Sequence, residues 1–214
     1  MIALIFSGGT YRDLDFYRPY TRKAGLIIGA DSGGATLLAL GVTPHLLVGD
    51  MDSIGADAFD SLKKKGVEII EVSPEKDFTD SELAVKTALD RGATDLVIFG
   101  AIGDRLDHTL ANISLLEYAQ ERRAAARIVT EDQEAYLLTA DVVNPIPGEI
   151  GSTVSLISLS DPTTGVTTHD LKYPLKEASL ELLSPLGVSN EISGPNPWVE
   201  FWEGRLLLVK IQNP

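Results

Sequence analysis

Residues 45–53 read HLLVGDMDS, a short apolar run that leads directly into two aspartates. Consecutive apolar residues such as Leu46, Leu47 and Val48 are typical of a strand that is buried on both faces of a sheet. In open parallel sheets, ligands bind at the carboxyl ends of the strands. Because Asp50 and Asp52 follow the run, we expect an interior strand that delivers two carboxylates to a binding site.

Further apolar runs of this type occur throughout the first 130 residues, at 2–6, 26–30, 67–72, 95–99 and 127–130. Helical patterns separate them, around residues 14–23, 34–40, 56–65, 80–91 and 106–123. Regular alternation of strands and helices is typical of an α/β fold with helices on both faces of a parallel sheet. The first part of the chain is therefore predicted to be a Rossmann-like domain.

The second part of the chain has a different pattern. Eight of the 11 prolines and both tryptophans lie after residue 130. Short segments, often with alternating apolar residues, lie between turns at 153–159, 179–183, 198–202 and 205–211. This pattern predicts an antiparallel β-sandwich or barrel. We place the α/β domain at residues 1–132 and the all-β domain at residues 133–214.

The composition limits the classes of function. With 214 residues, 44% hydrophobic content and no cysteine, the chain is expected to be globular, without disulfides or thiolate metal sites. Its net charge of −13 repels phosphate backbones and anionic lipid, which argues against nucleic-acid and membrane-surface binding. The first apolar run is too short for a signal peptide, and no stretch approaches the roughly 20 apolar residues that span a membrane. We expect a cytoplasmic protein.

Two glycine-rich loops follow the first two predicted strands. Gly8 and Gly9 come after the first, and Asp31, Ser32 and Gly33 come after the second and lead into a helix. Glycine lets the backbone approach a phosphate closely, and a helix N-terminus offers free N–H donors. Each loop alone is equally compatible with an ordinary turn that has an Asp or Ser cap.

The aspartate pair after the third strand indicates a metal. If residues 50–52 are extended, the side chains of Asp50 and Asp52 point the same way and their charges repel. Mg²⁺ prefers oxygen ligands and binds one or two carboxylates together with substrate phosphates. The alternative is that Asp52 or Ser53 caps the next helix, but the position at a strand end favours the metal.

The fourth loop supplies two further candidates, Lys76 and Asp77, beside a predicted helix cap. Thr79 and Glu82 have the spacing of a capping box, which explains both residues structurally. Asp77 remains available as a third carboxylate for the metal. Lys76 remains available to contact a phosphate as a point charge.

The fifth loop leads into a long predicted helix. Gly103 lies in the turn, and Arg105 is a candidate to bind a phosphate. Asp107 and His108 fall in the first helical turn, and Asn112 lies one turn after His108 on the same face. For His108 alone, a plain surface position is the simpler interpretation. The chain contains neither the P-loop pattern GxxxxGK[ST] nor the dinucleotide pattern GxGxxG.

The loops taken together resemble the thiamine pyrophosphokinase family. The segments that carry the resemblance occur in the family's order and are ADSGGA at 30–35, GDMDSI at 49–54, KDFTD at 76–80 and GDRLDHTLAN at 103–112. Two later segments, LKYPL at 171–175 and GVSNE at 187–191, also resemble family motifs. The similarity spans nearly the whole chain, and the set of four motifs is specific although no single member is. Ser32 stands where many members carry another residue.

The resemblance implies a Mg²⁺-dependent transfer of the β,γ-diphosphate of ATP to the hydroxyl of thiamine. It implies a catalytic α/β domain, a β-sandwich domain that binds thiamine, and a homodimer. Asp50, Asp52 and either Asp77 or Asp80 are the implied metal ligands, and Asp77 or Asp80 is a candidate proton acceptor. The implied ATP-binding residues are Gly8, Gly9, Asp31, Ser32, Gly33, Lys76, Thr79, Gly103, Arg105 and Asp107.

Thiamine contacts are also implied by the resemblance. Its motifs place His108, Asn112, Ser189 and Asn190 on the thiamine side. Trp198 or Trp202 is a candidate to stack on the cationic thiazolium ring, although both are equally compatible with a sandwich core.

Two other functions remain open at this stage. In the first, the protein transfers the diphosphate to a hydroxymethylpterin. In the second, it is a non-catalytic nucleotide-binding protein. The intact set of acidic residues argues against the second, because a degenerate relative loses metal carboxylates first.

Overall fold

The computed structural model describes residues 1–73, 75 and 77–212. The chain divides into two compact units, Met1–Glu131 and Asp132–Pro214. The first unit is α/β and the second is all-β, which confirms the fold class expected from the sequence. Within the described residues, no helix has both the length and the apolar character needed to cross a membrane.

Within its described residues, the first unit alternates six strands with five helices. The strands are β1 (Ile2–Phe6), β2 (Leu26–Ala30), β3 (Leu46–Gly49), β4 (Glu68–Glu71), β5 (Asp95–Phe99) and β6 (Ala125–Val129). The helices are α1 (Leu14–Thr21), α2 (Gly33–Ala39), α3 (Ala56–Lys64), α4 (Asp80–Asp90) and α5 (Leu106–Glu121). The bounds differ from the predicted ones by one or two residues at most ends.

All six strands of the first unit are parallel, in the order β4-β3-β2-β1-β5-β6. One face of the sheet packs against α1, α2 and α3, with Phe6, Tyr17 and Leu37 among the fully buried side chains there. Helix α4 packs on β1, β2 and β3, and α5 packs beside it on β6. Because the strands are parallel, their carboxyl ends and the loops that follow them share one edge.

Close packing explains one glycine that was a candidate for phosphate binding. A Cβ on Gly33 would overlap the carbonyl group of Phe6 at the end of β1. Gly33 is also buried, at the start of α2. This glycine therefore lets α2 begin directly against the end of β1, which is a packing requirement.

The second unit consists of two antiparallel sheets. The strands are β7 (Gln133–Leu137), β8 (Asn144–Pro145), β9 (Thr153–Ser158), β10 (Thr163–His169), β11 (Ala178–Leu180), β12 (Asn190–Glu191), β13 (Trp198–Glu200) and β14 (Leu206–Ile211). Their orders are β12-β9-β14-β7 and β11-β10-β13-β8. Buried side chains from both sheets form one core, including Leu156, Val166, Val199 and Leu208. The unit is a β-sandwich.

Four strands of the second unit, β7, β8, β10 and β12, were not predicted from the sequence. Two of them have only two residues each, so they leave no periodic pattern. Strand β10 reads TTGVTTH, in which the β-branched threonines favour a strand but give no alternation of apolar and polar residues. Gly165 within it has a φ of 69°, and the pairing with β11 shifts register between Thr163 and Val166. An irregular strand of this kind lacks the alternation on which the prediction relied.

Candidate active site

The first unit has a pocket of about 560 Å³ at the carboxyl edge of its sheet. The loops after β1, β2, β3 and β5 form its wall, together with the starts of α4 and α5. Twelve of the residues singled out from the sequence line it, namely Gly8, Gly9, Asp31, Ser32, Asp50, Asp52, Thr79, Asp80, Gly103, Arg105, His108 and Asn112. The structure therefore brings together residues from five separate loops.

Three aspartates in this pocket form a compact group. Asp31, Asp50 and Asp52 each offer a carboxylate oxygen within 4.8 Å of the other two. Asp31 is buried, whereas Asp50 is half-buried and Asp52 is exposed. Burial raises the pKa of the Asp31 carboxyl above its ordinary value of 3.8, and hydrogen bonds from Ser53 oppose that shift. The charges of Asp80 and Asp52 raise the same pKa further, so the group concentrates negative charge.

The loop after β3 brings Asp50 and Asp52 together by a turn. Met51 has a φ of 66°, so the expectation that residues 50–52 are extended is wrong. Instead, the amide of Asp52 donates to Asp50 Oδ1 at 3.3 Å, and the Ser53 hydroxyl donates to Asp52 Oδ1 at 2.6 Å. The loop folds back on its own side chains, as short Asp-containing turns do, and both carboxylates stay at the pocket.

The loop after β4 contributes Asp80 and Thr79 to the pocket. A Cβ on Gly49 would lie 3.0 Å from Asp80 Oδ1 and 3.2 Å from the Asp31 Cβ, so these two aspartates flank the end of β3. Thr79 is the N-cap of α4, and its hydroxyl accepts a hydrogen bond from the Glu82 amide at 3.1 Å. Asp77 is exposed, and the structure places Asp31 in its stead beside Asp50 and Asp52. The predicted phosphate contact of Lys76 lies outside the described residues.

The loop after β1 contacts two neighbouring loops. Gly9 donates its amide to the Gly100 carbonyl at 2.9 Å, and a Cβ on Gly103 would lie 3.3 Å from the Gly9 Cα. A Cβ on Gly8 would lie 2.5 Å from the Ser32 hydroxyl oxygen. Gly8 and Gly9 therefore allow three loops to meet closely at the pocket wall.

Arg105 and Asp107 form an exposed pair at the start of α5. The guanidinium contacts both carboxylate oxygens of Asp107, at 3.2 Å and 2.5 Å. This contact lowers the pKa of Asp107 to about 2, so the carboxyl is charged at all physiological pH values. Arg105 lines the pocket, whereas Asp107 holds the guanidinium from the side.

His108 and Asn112 lie on the pocket-facing side of α5. Asn112 is buried, and its amide nitrogen donates to the Ala101 carbonyl at 2.8 Å. That bond joins α5 to the loop after β5. His108 is exposed, as the simpler interpretation of its position expected.

The second unit holds the other four candidates. Asn190 is buried, and its side chain bonds the amide and carbonyl of Tyr173 at 3.0 Å and 2.7 Å and accepts from the Glu191 amide at 2.9 Å. These contacts fix the local backbone. Ser189 has a φ of 57°, and its amide donates to the Ser155 hydroxyl at 3.0 Å.

The two tryptophans have different environments. Trp198 is half-buried and stacks on His169, its partner across β10 and β13, with ring centroids 5.4 Å apart and an interplanar angle of 2°. Trp202 is 54% exposed. A Cβ on Gly165 would overlap the Trp202 ring, so this glycine provides the space for it. Trp202 therefore offers aromatic surface to a ligand, whereas one face of Trp198 is already covered.

The pocket wall also contains polar residues that were not predicted as site residues, namely Ser7, Thr10, Ser53, Ser81 and Asp104. Ser7 is buried, and the Ser81 hydroxyl donates to its hydroxyl at 2.8 Å. Position after a strand was the signal available for Ser7 and Thr10. Ser81 carried none, because its position in the first turn of α4 is an ordinary one for serine.

Two family models match the chain, one in each unit. The thiamin pyrophosphokinase catalytic domain matches residues 17–129, which is more than half of the chain, and the thiamin pyrophosphokinase vitamin B1 binding domain matches residues 142–206. The chain belongs to the thiamin pyrophosphokinase family. The resemblance noted in its motifs is thereby confirmed.

Relatives within the thiamin pyrophosphokinase family match over the full length. The chain is 30% identical to thiamine pyrophosphokinase of Bacillus subtilis over 206 residues, which cover 96% of each protein. The crystal structure of thiamine pyrophosphokinase from Bacillus subtilis matches with a TM-score of 0.88 at 29% identity, covering 100% of both chains. That of thiamin pyrophosphokinase from Geobacillus thermodenitrificans gives 0.84 at 29% identity, covering 100% of this chain and 98% of the other.

Proposed function

We propose that this protein transfers the diphosphate of ATP to thiamine and releases thiamine diphosphate and AMP. The observation that carries the proposal is the group of Asp31, Asp50 and Asp52, which lies in the pocket of a thiamin pyrophosphokinase catalytic domain. In the reaction, the thiamine hydroxyl oxygen bonds to the β-phosphorus of ATP. The bond between that phosphorus and the bridging oxygen to the α-phosphorus breaks, and the hydroxyl proton passes to a base.

The three aspartates fit a Mg²⁺ ion. Their donor atoms are carboxylate oxygens, which this cation prefers, and they lie close enough to share one site. Burial raises the pKa of Asp31, and the charges of Asp80 and Asp52 raise it further, which a bound cation would oppose. Bound Mg²⁺ would neutralise the negative phosphate charge that shifts during the transfer. Asp31, Asp50 and Asp52 would hold it, with Asp31 in place of the predicted Asp77.

The other side of the pocket is suited to the nucleotide. Gly8 and Gly9 present backbone with no side chain, which allows phosphates to approach. Arg105 is oriented by Asp107 and provides a positive charge in an otherwise acidic pocket. Helix α5 begins there with Arg105 as its N-cap, and the N-terminus of a helix favours a bound anion.

Asp80 is the better candidate to accept the thiamine hydroxyl proton. It lines the pocket beside Asp31, whereas Asp77 is exposed on the preceding loop. An Asp80→Asn variant is expected to lose turnover while it still binds Mg²⁺–ATP, because the amide keeps an oxygen but accepts no proton. Full turnover of this variant across the pH range would remove Asp80 as the base, and Asp77→Asn is the matched control.

The vitamin B1 binding domain match supports thiamine over a hydroxymethylpterin as the acceptor. Within the second unit, Trp202 is the more exposed of the two tryptophans, and its ring is the one that we assign to the cationic thiazolium. We further propose a homodimer that works in the cytoplasm. Nine of the 13 exposed large hydrophobic side chains among the described residues belong to the second unit, which supports a contact between subunits there.

The proposed function is tested by incubating the purified protein with ATP, Mg²⁺ and thiamine and by quantifying the products chromatographically. AMP and thiamine diphosphate are expected in equal amounts. A parallel reaction with hydroxymethylpterin is expected to form no diphosphate. Formation of AMP in the pterin reaction alone would overturn the thiamine assignment, and ADP as the nucleotide product would overturn the diphosphate transfer.

A further inference from the structure

The loop between β1 and α1 forms a large part of the nucleotide side of the pocket. Ser7, Gly8, Gly9 and Thr10 all line it. Two of these residues are glycines, so the segment has little intrinsic stiffness. Besides the bond from the Gly9 amide to the Gly100 carbonyl, its position at the pocket depends on the residues that hold its far end, which are residues 11–13.

Glu131 holds the far end of this loop. Its Oε1 atom accepts hydrogen bonds from the backbone amides of Arg12 at 2.8 Å and Asp13 at 3.0 Å. The Arg12 guanidinium lies 3.9 Å from the other carboxylate oxygen, Oε2. The side chain of Glu131 is only 14% exposed, and the Tyr17 side chain lies close to it.

Tyr11 fixes the same loop between Glu131 and the pocket. Its hydroxyl donates to the Ser7 carbonyl at 2.8 Å. Its ring stacks on Phe6 at 6.1 Å and contacts Tyr17 edge-on at 5.1 Å. The hydroxyl occupies the space where a side chain on Gly100 would start. Residues 8–10 are thus a short span between two fixed points.

We propose that Glu131 is a positioning residue for the nucleotide: it anchors the β1–α1 loop so that Gly8, Gly9 and Thr10 keep the shape that the phosphates of ATP contact. Glu131 follows β6, so it acts from the same sheet edge as the pocket. It does not line the pocket, and its effect passes through the amides of Arg12 and Asp13. The expected change in the KM for ATP rests on the proposed function. The anchoring of the loop rests on the loop contacts alone.

The anchoring predicts a specific kinetic signature. Loss of the anchor lets the loop move by a fraction of an ångström or more, which weakens the ATP complex but leaves the aspartates in place. The KM for ATP should therefore rise by about 10-fold, since loss of binding that is equal in the ground state and the transition state raises KM without slowing turnover. The turnover number at saturating ATP and the KM for thiamine should stay within about 2-fold, because neither depends on the loop once ATP is bound.

Two substitutions at one position separate anchoring from charge. Glu131→Ala removes the acceptor of both amides and is expected to show the full rise in the KM for ATP. Glu131→Gln keeps a carbonyl oxygen that accepts from both amides and is expected to retain an almost normal KM. Glu121→Ala, an exposed glutamate at the end of α5, is the matched control and is expected to behave as the wild type.

A loss of folding would instead lower the amount of active enzyme and leave the KM unchanged. The proposal is overturned if Glu131→Ala keeps the wild-type KM for ATP, or if Glu131→Gln is as impaired as Glu131→Ala. Thermal unfolding of each variant shows whether it is folded at the assay temperature.

Two measurements do not depend on the proposed reaction. Hydrogen exchange of a peptide that spans residues 8–14 should accelerate in Glu131→Ala and not in Glu131→Gln. Calorimetric binding of Mg²⁺–α,β-methylene ATP, which is not cleaved at the relevant bond, should weaken about 10-fold in Glu131→Ala only. If the wild type proves inactive on thiamine but these two results hold, the anchoring stands and the proposed function fails. Unchanged exchange and binding would overturn the anchoring whatever the activity.

Discussion

Asp31 combines burial, negative charge and an unusual backbone. Its φ of 45° lies in the left-handed region, and its amide donates to the Val48 carbonyl at 2.8 Å, which fixes it beside β3. The charges of Asp52 and Asp80 act on its carboxyl, and the pKa of that group is raised chiefly by burial. Without a bound cation, a buried carboxylate of this kind lowers the free energy of unfolding. Such destabilising residues are typical of functional sites.

Replacing Asp31 by Asn should separate stability from function. Asn tolerates a positive φ and keeps an oxygen that accepts from the Ser53 amide, so the local structure should persist. Since the pKa of Asp31 is raised by folding, its contribution to the free energy of unfolding is present below pH 3.8 and lost as the pH rises through the folded pKa. At neutral pH and without Mg²⁺, we therefore expect Asp31→Asn to unfold at a higher temperature than the wild type.

With Mg²⁺ and ATP, the wild type should instead unfold at a higher temperature than Asp31→Asn. Ligand at 100 times its Kd adds about 2.7 kcal/mol to the free energy of unfolding, and a variant with a damaged metal site should gain less. Calorimetric scans with and without Mg²⁺–ATP measure both effects. Asp77→Asn is the matched control, since Asp77 is exposed and outside the group of three. A wild-type response of Asp31→Asn to Mg²⁺–ATP would show that Asp31 is no ligand.

The tryptophans should respond differently to the same truncation. Trp202→Ala is expected to raise the KM for thiamine by about 2- to 30-fold, which corresponds to the 0.5–2 kcal/mol of a cation–π contact. Trp198→Ala is expected to leave that KM near its wild-type value and to lower the free energy of unfolding by about 1 kcal/mol or more, because its stack on His169 is lost. Steady-state kinetics and denaturant unfolding of both variants are the measurements. The reverse assignment of effects would make Trp198 the ligand contact.

At the scale of one element, α4 begins at the pocket and is capped by Thr79. The hydroxyl of Thr79 accepts from the Glu82 amide at 3.1 Å, as the capping-box spacing predicted. Thr79→Ala should lower the free energy of unfolding by about 1 kcal/mol, the usual cost of losing a threonine cap. Thr79→Ser keeps the hydroxyl and should be close to the wild type in urea unfolding.

The same pair of variants tests the implied role of Thr79 in binding ATP. If the residue acts as a cap alone, Thr79→Ala destabilises the protein while the KM for ATP changes little. A rise of 10-fold or more in that KM, restored by serine, would instead assign the hydroxyl to the nucleotide. Thr79→Ala and Thr79→Ser are compared at a temperature at which both variants are folded.

The elements of the first unit were predictable because burial on both faces leaves continuous apolar runs. Strands β1, β2 and β5 have the predicted bounds, and the helices between them follow from their patterns. Strand β10 was not predictable, because its threonines form a strand without an alternating apolar pattern. Its pairing with β11 also shifts register around Gly165. Local sequence does not encode such an irregularity.

The site was predictable in its strand-end loops and not in its detail. Position after β3 indicated Asp50 and Asp52, but the turn at Met51 that brings them together has no sequence signal. The burial of Asp31 and its contact with Ser53 depend on how β2 and β3 pair, which is tertiary information. Glu131 lies 118 and 119 residues from the amides that it accepts from, so sequence spacing gives no access to its role.

At the scale of the whole molecule, the exposed apolar side chains lead to a prediction about the oligomeric state. We predict that light scattering after gel filtration gives twice the chain mass of 23.0 kDa at micromolar concentration. Because salt screens interactions between charges and does not screen apolar contacts, raising the salt concentration should not dissociate the dimer. A mass of one chain, with full activity at the same concentration, would contradict the homodimer.

The most direct test of the central claim measures AMP formation from ATP and thiamine as a function of Mg²⁺ concentration in four proteins. These are the wild type, Asp50→Asn, Asp52→Asn and the control Asp77→Asn. We predict Mg²⁺-dependent AMP and thiamine diphosphate from the wild type and the control, and a loss of about 100-fold or more in the other two, since metal stabilisation of transferring phosphate is worth several kcal/mol. Wild-type rates in Asp50→Asn and Asp52→Asn, or AMP formation without Mg²⁺, would contradict it.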